Sequence, residues 1–155
     1  MSHTTADLAI RDACPRDADQ IAALLTQLGY PATGDQVGQR LTYWLPDPMS
    51  LVLVAERGGQ VVGCLSLHAI PYLERTGRWA RIESLVIDES ARGSGTGRSL
   101  VAAAEEAARR RDCLAVEVTS ARSRADAHAF YQRLGYSDIC GRSGRFFKSL
   151  ETSAP

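Results

Sequence analysis

Apolar residues recur along this chain at two spacings, every second position in some stretches and every third or fourth in others. The exchange between the two marks out the elements. Leu8-Ala9-Ile10-Arg11 reads as a short first strand. Cys14-Pro15 opens a helix, since proline suits the first helical position. Ile21, Leu24, Leu25 and Leu28 then give one apolar face at i, i+3, i+4 and i+7, and Gly29 stops it. A second helix begins at Thr33, where Thr33-x-x-Gln36 has the form of a capping box. Val37, Leu41 and Trp44 make its buried side, and Pro46 and Pro48 close it.

From Leu51 the chain turns to β-rich runs. Leu51 to Ala55 and Val61 to Leu67 flank Arg57-Gly58-Gly59-Gln60, which predicts a hairpin. Ile70 to Arg78 reads as a loop, broken by Pro71 and Gly77, and Ile82 to Ile87 as another strand. Arg98 to Arg111 is a strong helix former with Leu100, Val101 and Ala104 facing inward. A strand at Leu114 to Thr119 and a helix at Ala125 to Leu134, stopped by Gly135, follow. Tyr136 to Cys140 and Arg145 to Ser149 read as two last strands, parted by Gly141 to Gly144. The order predicts one α/β domain over residues 1–155, its core at 8–149, with helices packed on a mixed, largely antiparallel sheet.

Charge excludes some functions. Eighteen basic and eighteen acidic residues cancel, which argues against general nucleic-acid or membrane affinity. Seven arginines nevertheless fall between Arg92 and Arg124, the signature of a local anion site. The four cysteines show no metal-ligand spacing, so neither a metal nor a catalytic thiol is expected. No signal-peptide pattern or membrane-span stretch stands out, and a cytoplasmic protein is expected.

That anion site has a seat. Arg92-Gly93-Ser94-Gly95-Thr96-Gly97-Arg98 lies between a strand and a long helix. Its glycines let a ligand approach the backbone, and the helix that follows turns free N–H groups toward the same spot. A P-loop would need Gly-x-x-x-x-Gly-Lys followed by Ser or Thr, and both spacing and lysine are missing. A dinucleotide turn would follow the first strand as Gly-x-Gly-x-x-Gly, and this one does neither. A plain strand-to-helix turn with solvated arginines is the bland alternative.

Arg92-x-x-Gly95-x-Gly97 resembles the Q/R-x-x-G-x-G/A pattern of the GNAT superfamily of acyl-coenzyme A-dependent N-acyltransferases. Ala129-Phe130-Tyr131-Gln132-Arg133-Leu134-Gly135-Tyr136 is similar to that family's A-x-x-F-Y-x-x-x-G-F/Y segment. The two stand in the family's order, and the resemblance spans roughly residues 8 to 149. It implies a sheet of about seven strands and about four helices, split between the fourth and fifth strands. The pantetheine of acetyl-CoA would lie in that split, bonded to the backbone of Leu85, Val86 and Ile87, with the pyrophosphate over Gly93, Ser94, Gly95, Thr96, Gly97 and Arg98. Arg92 and Arg98 would assist by charge or lie on the surface. Many members carry an asparagine after the next strand; here Ser120 or Ser123 would replace it, or the contact is missing.

The resemblance also implies the chemistry. Tyr131 would protonate the departing thiolate, the alternative being a core aromatic. Glu83, an acid within an apolar strand, is the leading base, directly or through a water; a pair with Arg81 is the alternative. Strand alternation puts Glu83 on one face with Leu85 and Ile87, opposite Ser84 and Val86. The N–H of Leu85 would hold the oxyanion. His128, one turn before Tyr131, shares its face and is a second candidate for cofactor contact or proton traffic. Acceptor contacts are expected from Arg40, Tyr43, Trp44, His68, Tyr72, Glu74, Trp79 and the last hairpin. Tyr72, Glu74 and Trp79 would hold a cationic amine, or serve as a lid or a homodimer contact. The implied function is acetyl transfer from acetyl-CoA to a primary amine of a small molecule. A CoA-binding sensor without turnover, a partner-binding module, and an acetyltransferase for protein N-termini or lysines are the alternatives.

Overall fold

Leu8–Asp12 (β1), Ser50–Arg57 (β2), Gln60–Pro71 (β3), Arg78–Ile87 (β4) and Cys113–Val118 (β5) form one sheet in that spatial order. The first four are antiparallel neighbours, and β5 runs parallel to β4. The helices are α1 (Ala18–Leu28), α2 (Gly34–Trp44), α3 (Thr96–Arg110) and α4 (Ala125–Arg133). The computed structural model describes residues 6–119 and 125–152. They belong to two compact units, residues 1–119 and 120–155.

In the first unit, one apolar cluster joins Val52, Val54, Cys64 and Val86 of the sheet to Ile21 and Leu24 of α1 and Val37 and Leu41 of α2. Burial there pushes the Cys64 thiol up to about 12, an inert core residue rather than a nucleophile. Leu53, Leu65, Leu67 and Ile82 alternate with that set and are also buried. Helix α3 runs against the sheet with Leu100, Val101, Ala104, Ala107 and Ala108 buried. Gly63 lets its first turn sit close: a Cβ there would lie 2.9 Å from Leu100 Cδ1 and 3.3 Å from Thr96 Cγ2. Large side chains fill the sheet, and a missing one admits the helix start.

Local signals act as read at α2, where Gln36 N–H donates to Thr33 Oγ1 at 3.2 Å and Thr33 N–H to Gln36 Oε1 at 3.0 Å. The start of α1 differs. Pro15–Asp17 is a single 3-10 turn, because the Asp17 carboxylate takes the Cys14 N–H at 2.8 Å. Strand β3 runs on to Pro71 and β4 starts at Arg78, so the loop expected over Ile70 to Arg78 shrinks to residues 72–77. Helix α3 begins at Thr96, two residues ahead of Arg98.

Two expectations about the sheet need correction. Among the described residues it has five strands, not about seven. It is also a single sheet, with β4 and β5 paired in register from Arg78↔Cys113 to Ile82↔Val118 and not parted into two halves. The strands expected at Tyr136 to Cys140 and Arg145 to Ser149 are absent. Among the described residues of the second unit no strand neighbours them, and local bonds take their place. Asp138 Oδ1 accepts the Cys140 N–H at 2.9 Å, and Arg142 and Ser143 N–H groups turn back to the Ile139 carbonyl. Phe146, Phe147 and Leu150 are exposed.

Candidate active site

Strand β4 delivers the chain to the glycine turn through a braced corner. Asp88 N–H donates to the Val62 carbonyl at 2.8 Å, and its carboxylate accepts the Ser90 N–H at 3.0 Å. Gln27 of α1 holds the corner with both ends of its amide, donating to Asp88 Oδ1 at 2.7 Å and accepting from Glu89 N–H at 3.1 Å. Gln27 and Ser90 together hold the Asp88 carboxyl below the usual carboxylate range. Nothing in the sequence singles out Gln27.

Gly93 (φ 77) and Gly95 (φ 85) follow in left-handed conformations, and Gly95 is the N-cap of α3. Among the described residues, no N–H from Gly93 through Arg98 meets a protein acceptor. A Cβ built on Gly93 or Gly95 would meet no atom within 4 Å. Unpaired donors therefore gather at the positive end of a 15-residue helix, beside two glycines that add no side chain, a ready seat for an anion. Ser94 and Thr96 have other work: their hydroxyls bond each other at 2.8 Å, Ser94 Oγ also donates to the Ala91 carbonyl, and Thr96 is buried. Arg92 Nε donates to the Ile87 carbonyl at 3.3 Å from an exposed side chain. Arg98 is exposed, and among the described residues it makes no hydrogen bond or ion pair. Gly97 is half-buried.

Glu83 sits at a register break. Ser66 pairs with Ser84 and Leu67 with Ile82, leaving Glu83 as an extra residue, a β-bulge. The bulge defeats simple alternation. Ser66 Oγ lies 2.7 Å from Glu83 Oε2 and 2.6 Å from Ser84 Oγ, so Glu83 joins the side of Ser84 and not that of Leu85 and Ile87. Glu83 is exposed, not desolvated within the strand. It makes no pair with Arg81, whose guanidinium instead donates to Glu117 and to Thr119 Oγ1, each at 3.2 Å. Ser66, a serine inside an apolar run, was the available signal for this contact.

Beyond Ile82 the far edge of β4 has no strand partner among the described residues. Leu85, Val86 and Ile87 lie along that stretch, in register on the other side with Leu65, Cys64 and Gly63. The Val86 side chain is in the core and has only its backbone to offer; Leu85 and Ile87 are half-buried.

Of the expected acceptor contacts, Trp44 and His68 come together as stacked rings, 4.0 Å apart and 23° from parallel. Ser50 Oγ lies 2.9 Å from His68 Nδ1 and donates to Asp47 Oδ2 at 2.7 Å. Tyr72 and Glu74 hold a cation of the chain itself: Arg75 lies 4.9 Å over the Tyr72 ring and 3.8 Å from Glu74. Trp79 pairs with Ile70 across β3 and β4, while Arg40 and Tyr43 are exposed.

In the second unit α4 carries His128 and Tyr131, both half-buried. The Tyr131 ring meets Phe130 at 5.2 Å and Tyr136 at 5.9 Å, both edge-on. Gly135 (φ 90) ends the helix so that its N–H bonds the Gln132 carbonyl and the Tyr136 N–H the Tyr131 carbonyl. The Gly135-Tyr136 pair of the motif is thus a helix cap that folds one tyrosine against another. Ser120 and Ser123 lie outside the described residues. No group of three or more His, Cys, Asp or Glu is placed to hold a metal, and no helix is long and apolar enough to cross a membrane, among the described residues.

An α/β sheet backed by α1 and α2, with a glycine turn that feeds α3, is the arrangement that the resemblance to acyl-CoA-dependent acetyltransferases implies. The sequence profile of the Acetyltransferase (GNAT) family matches residues 19–136, and the chain belongs to that family. An aminoalkylphosphonate N-acetyltransferase of Salmonella typhimurium is 35% identical over 146 residues, 91% of this chain and 90% of its own. A glucosamine 6-phosphate N-acetyltransferase of Trypanosoma brucei brucei is 35% identical over 79 residues, 50% of this chain and 52% of its own. The crystal structure of a transcriptional regulator from Bacillus halodurans superposes with a TM-score of 0.81 at 27% identity, covering 92% of this chain and 99% of that one. The protein is an N-acetyltransferase acting on amines, of a family whose co-substrate is acetyl-CoA.

Proposed function

We propose that the chain, working as one cytoplasmic domain, moves the acetyl group of acetyl-CoA directly to the primary amine of a small molecule that also bears a phosphonate or phosphate. The observation that carries the cofactor half is the row of unpaired N–H groups from Gly93 to Arg98 at the start of α3, where a Cβ on Gly93 or Gly95 would meet nothing within 4 Å. The pyrophosphate would rest there, with Arg92 and Arg98 adding charge. The backbone edge of Leu85 to Ile87 would take the pantetheine, and Ser120 or Ser123 would assist. The acceptor class rests on the two relatives, whose substrates both join an amine to a phosphorus oxyanion.

Glu83 would accept a proton from the attacking nitrogen, directly or through one water, while Ser66 holds the carboxylate in place. The Leu85 N–H would stabilise the carbonyl oxygen as it becomes anionic. Tyr131, assigned from its motif, would give its phenol proton to the thiolate, with His128 beside the cofactor. Acetyl-CoA at about 100 times its Kd should stabilise the fold by roughly 2.7 kcal/mol. Thiol release should then be fastest with 2-aminoethylphosphonate or glucosamine 6-phosphate among a panel of polyamines, amino acids, aminoglycosides and peptide N-termini. Stabilisation without turnover on any amine would favour a CoA sensor. Peptides as the best acceptors would overturn the small-molecule assignment.

A further inference from the structure

An ammonium group that becomes an amide sheds two protons, and one carboxylate accounts for one of them. A second acceptor is set on the same side of the sheet as Glu83. His68 stands two residues along β3 from Ser66, which binds Glu83, so the two sites lie roughly 7 Å apart at the strand rise. Its tautomer is fixed by its neighbours. Both oxygens of Asp47 accept hydrogen bonds, Oδ1 from Met49 N–H at 3.0 Å and Oδ2 from the Ser50 hydroxyl at 2.7 Å. Those bonds hold the Asp47 carboxyl below its ordinary range, so it is ionised and can only accept. The Ser50 proton is therefore spent on Asp47, and Ser50 Oγ must accept from His68 Nδ1–H at 2.9 Å. Neutral His68 is left with its lone pair on Nε2, which meets no protein group among the described residues. Trp44 stacked at 4.0 Å fixes the ring plane. Arg81, opposite His68 on β4, has its charge matched by Glu117 at 3.2 Å.

We propose that His68, through Nε2, takes the first proton from the acceptor's ammonium group and so frees the nitrogen lone pair for attack. One proton passes from nitrogen to Nε2. The imidazolium keeps its Nδ1–H on Ser50, faces Asp47 through that hydroxyl, and later returns the proton to water. This rests on the amine-acetylating site proposed above, with Glu83 left to take the second proton.

The test combines kinetics with nitrogen NMR. His68→Asn keeps a donor for Ser50 but has no base at the Nε2 position. It should melt close to the wild type, keep its stabilisation by acetyl-CoA, and lose about 10²–10³-fold in kcat/KM for 2-aminoethylphosphonate. His68→Ala should regain turnover when imidazole is added. In the ligand-free wild type the ring should show a protonated Nδ1 and an unprotonated Nε2. Full activity in His68→Asn, a loss that imidazole does not restore, or a protonated Nε2 in the neutral ring would each overturn the proposal. If the wild type acetylates no amine, the proposed function falls. His68 is then judged by NMR: a shift at Nε2 on adding 2-aminoethylphosphonate supports an amine contact, and no shift overturns it.

Discussion

Glu83 and Tyr131 illustrate what a single side chain owes to its immediate setting. Glu83 is exposed and accepts a bond from Ser66, so Glu83→Gln keeps volume and one hydrogen-bonding oxygen. Because Arg81 is already matched by Glu117, the substitution strands no charge. Turnover should fall by about 10²-fold or more at an unchanged melting temperature, both measured on one preparation. Full activity would remove Glu83 from the chemistry. Its choice as a candidate was legible from an acid placed among apolar strand residues. Its direction was not, because one extra residue in the β3–β4 ladder shifts the alternation and leaves no mark in the sequence. Tyr131 makes ring contacts with Phe130 and Tyr136 that need no hydroxyl. Tyr131→Phe keeps those ring contacts, and it should keep its acetyl-CoA affinity while turnover drops about 10²–10⁴-fold. Equal losses in affinity and rate would mean that the phenol has no separate part as an acid.

At the scale of elements, short-range chemistry was the legible part. The capping box at Thr33, the helix stops at Gly29 and Gly135, and the glycine turn before α3 each depend on residues within one turn of one another. The last two strands had no such support, since a strand exists only through its neighbour and periodicity cannot name one. The glycine turn can be tested by a pair of variants. Gly95 has φ 85, so any side chain there costs about 1 kcal/mol of backbone strain. That cost is common to Gly95→Ala and Gly95→Glu, and the first Cβ meets nothing in either. They differ in the carboxylate, which would compete with phosphate for the α3 N–H groups. Gly95→Ala should keep most of the stabilisation by acetyl-CoA, and Gly95→Glu should lose it. Equal shifts in the two would place the pyrophosphate elsewhere.

Across the whole molecule, the order of elements from β1 to α4 could be read because each apolar face must find a partner, whereas the polar clamp at the N-terminal edge could not. Asp17 is 1% exposed and joins β1 to the start of α1. Arg11 reaches it at 2.8 and 2.9 Å and also binds Glu56 on β2 at 2.8 Å. The Arg11 guanidinium, followed by the Cys14 N–H, outweighs burial and lowers the Asp17 carboxyl from 3.8 to about 2. The fold thus favours the ionised form. The stabilisation is complete above the unfolded value of 3.8, declines as pH falls from there, and is gone below about 2. A shift of that size corresponds to about 2 kcal/mol. Asp17→Asn should lower stability to urea at neutral pH, more so because it takes one of two partners from Arg11. Its stability should also fall less steeply than that of the wild type between pH 4 and pH 2. Asp47 and Asp88, also lowered but at the surface, titrate alike in both proteins and cancel from the comparison. Parallel acid limbs in the two proteins would mean that the clamp orders the first turn of the chain without stabilising the fold.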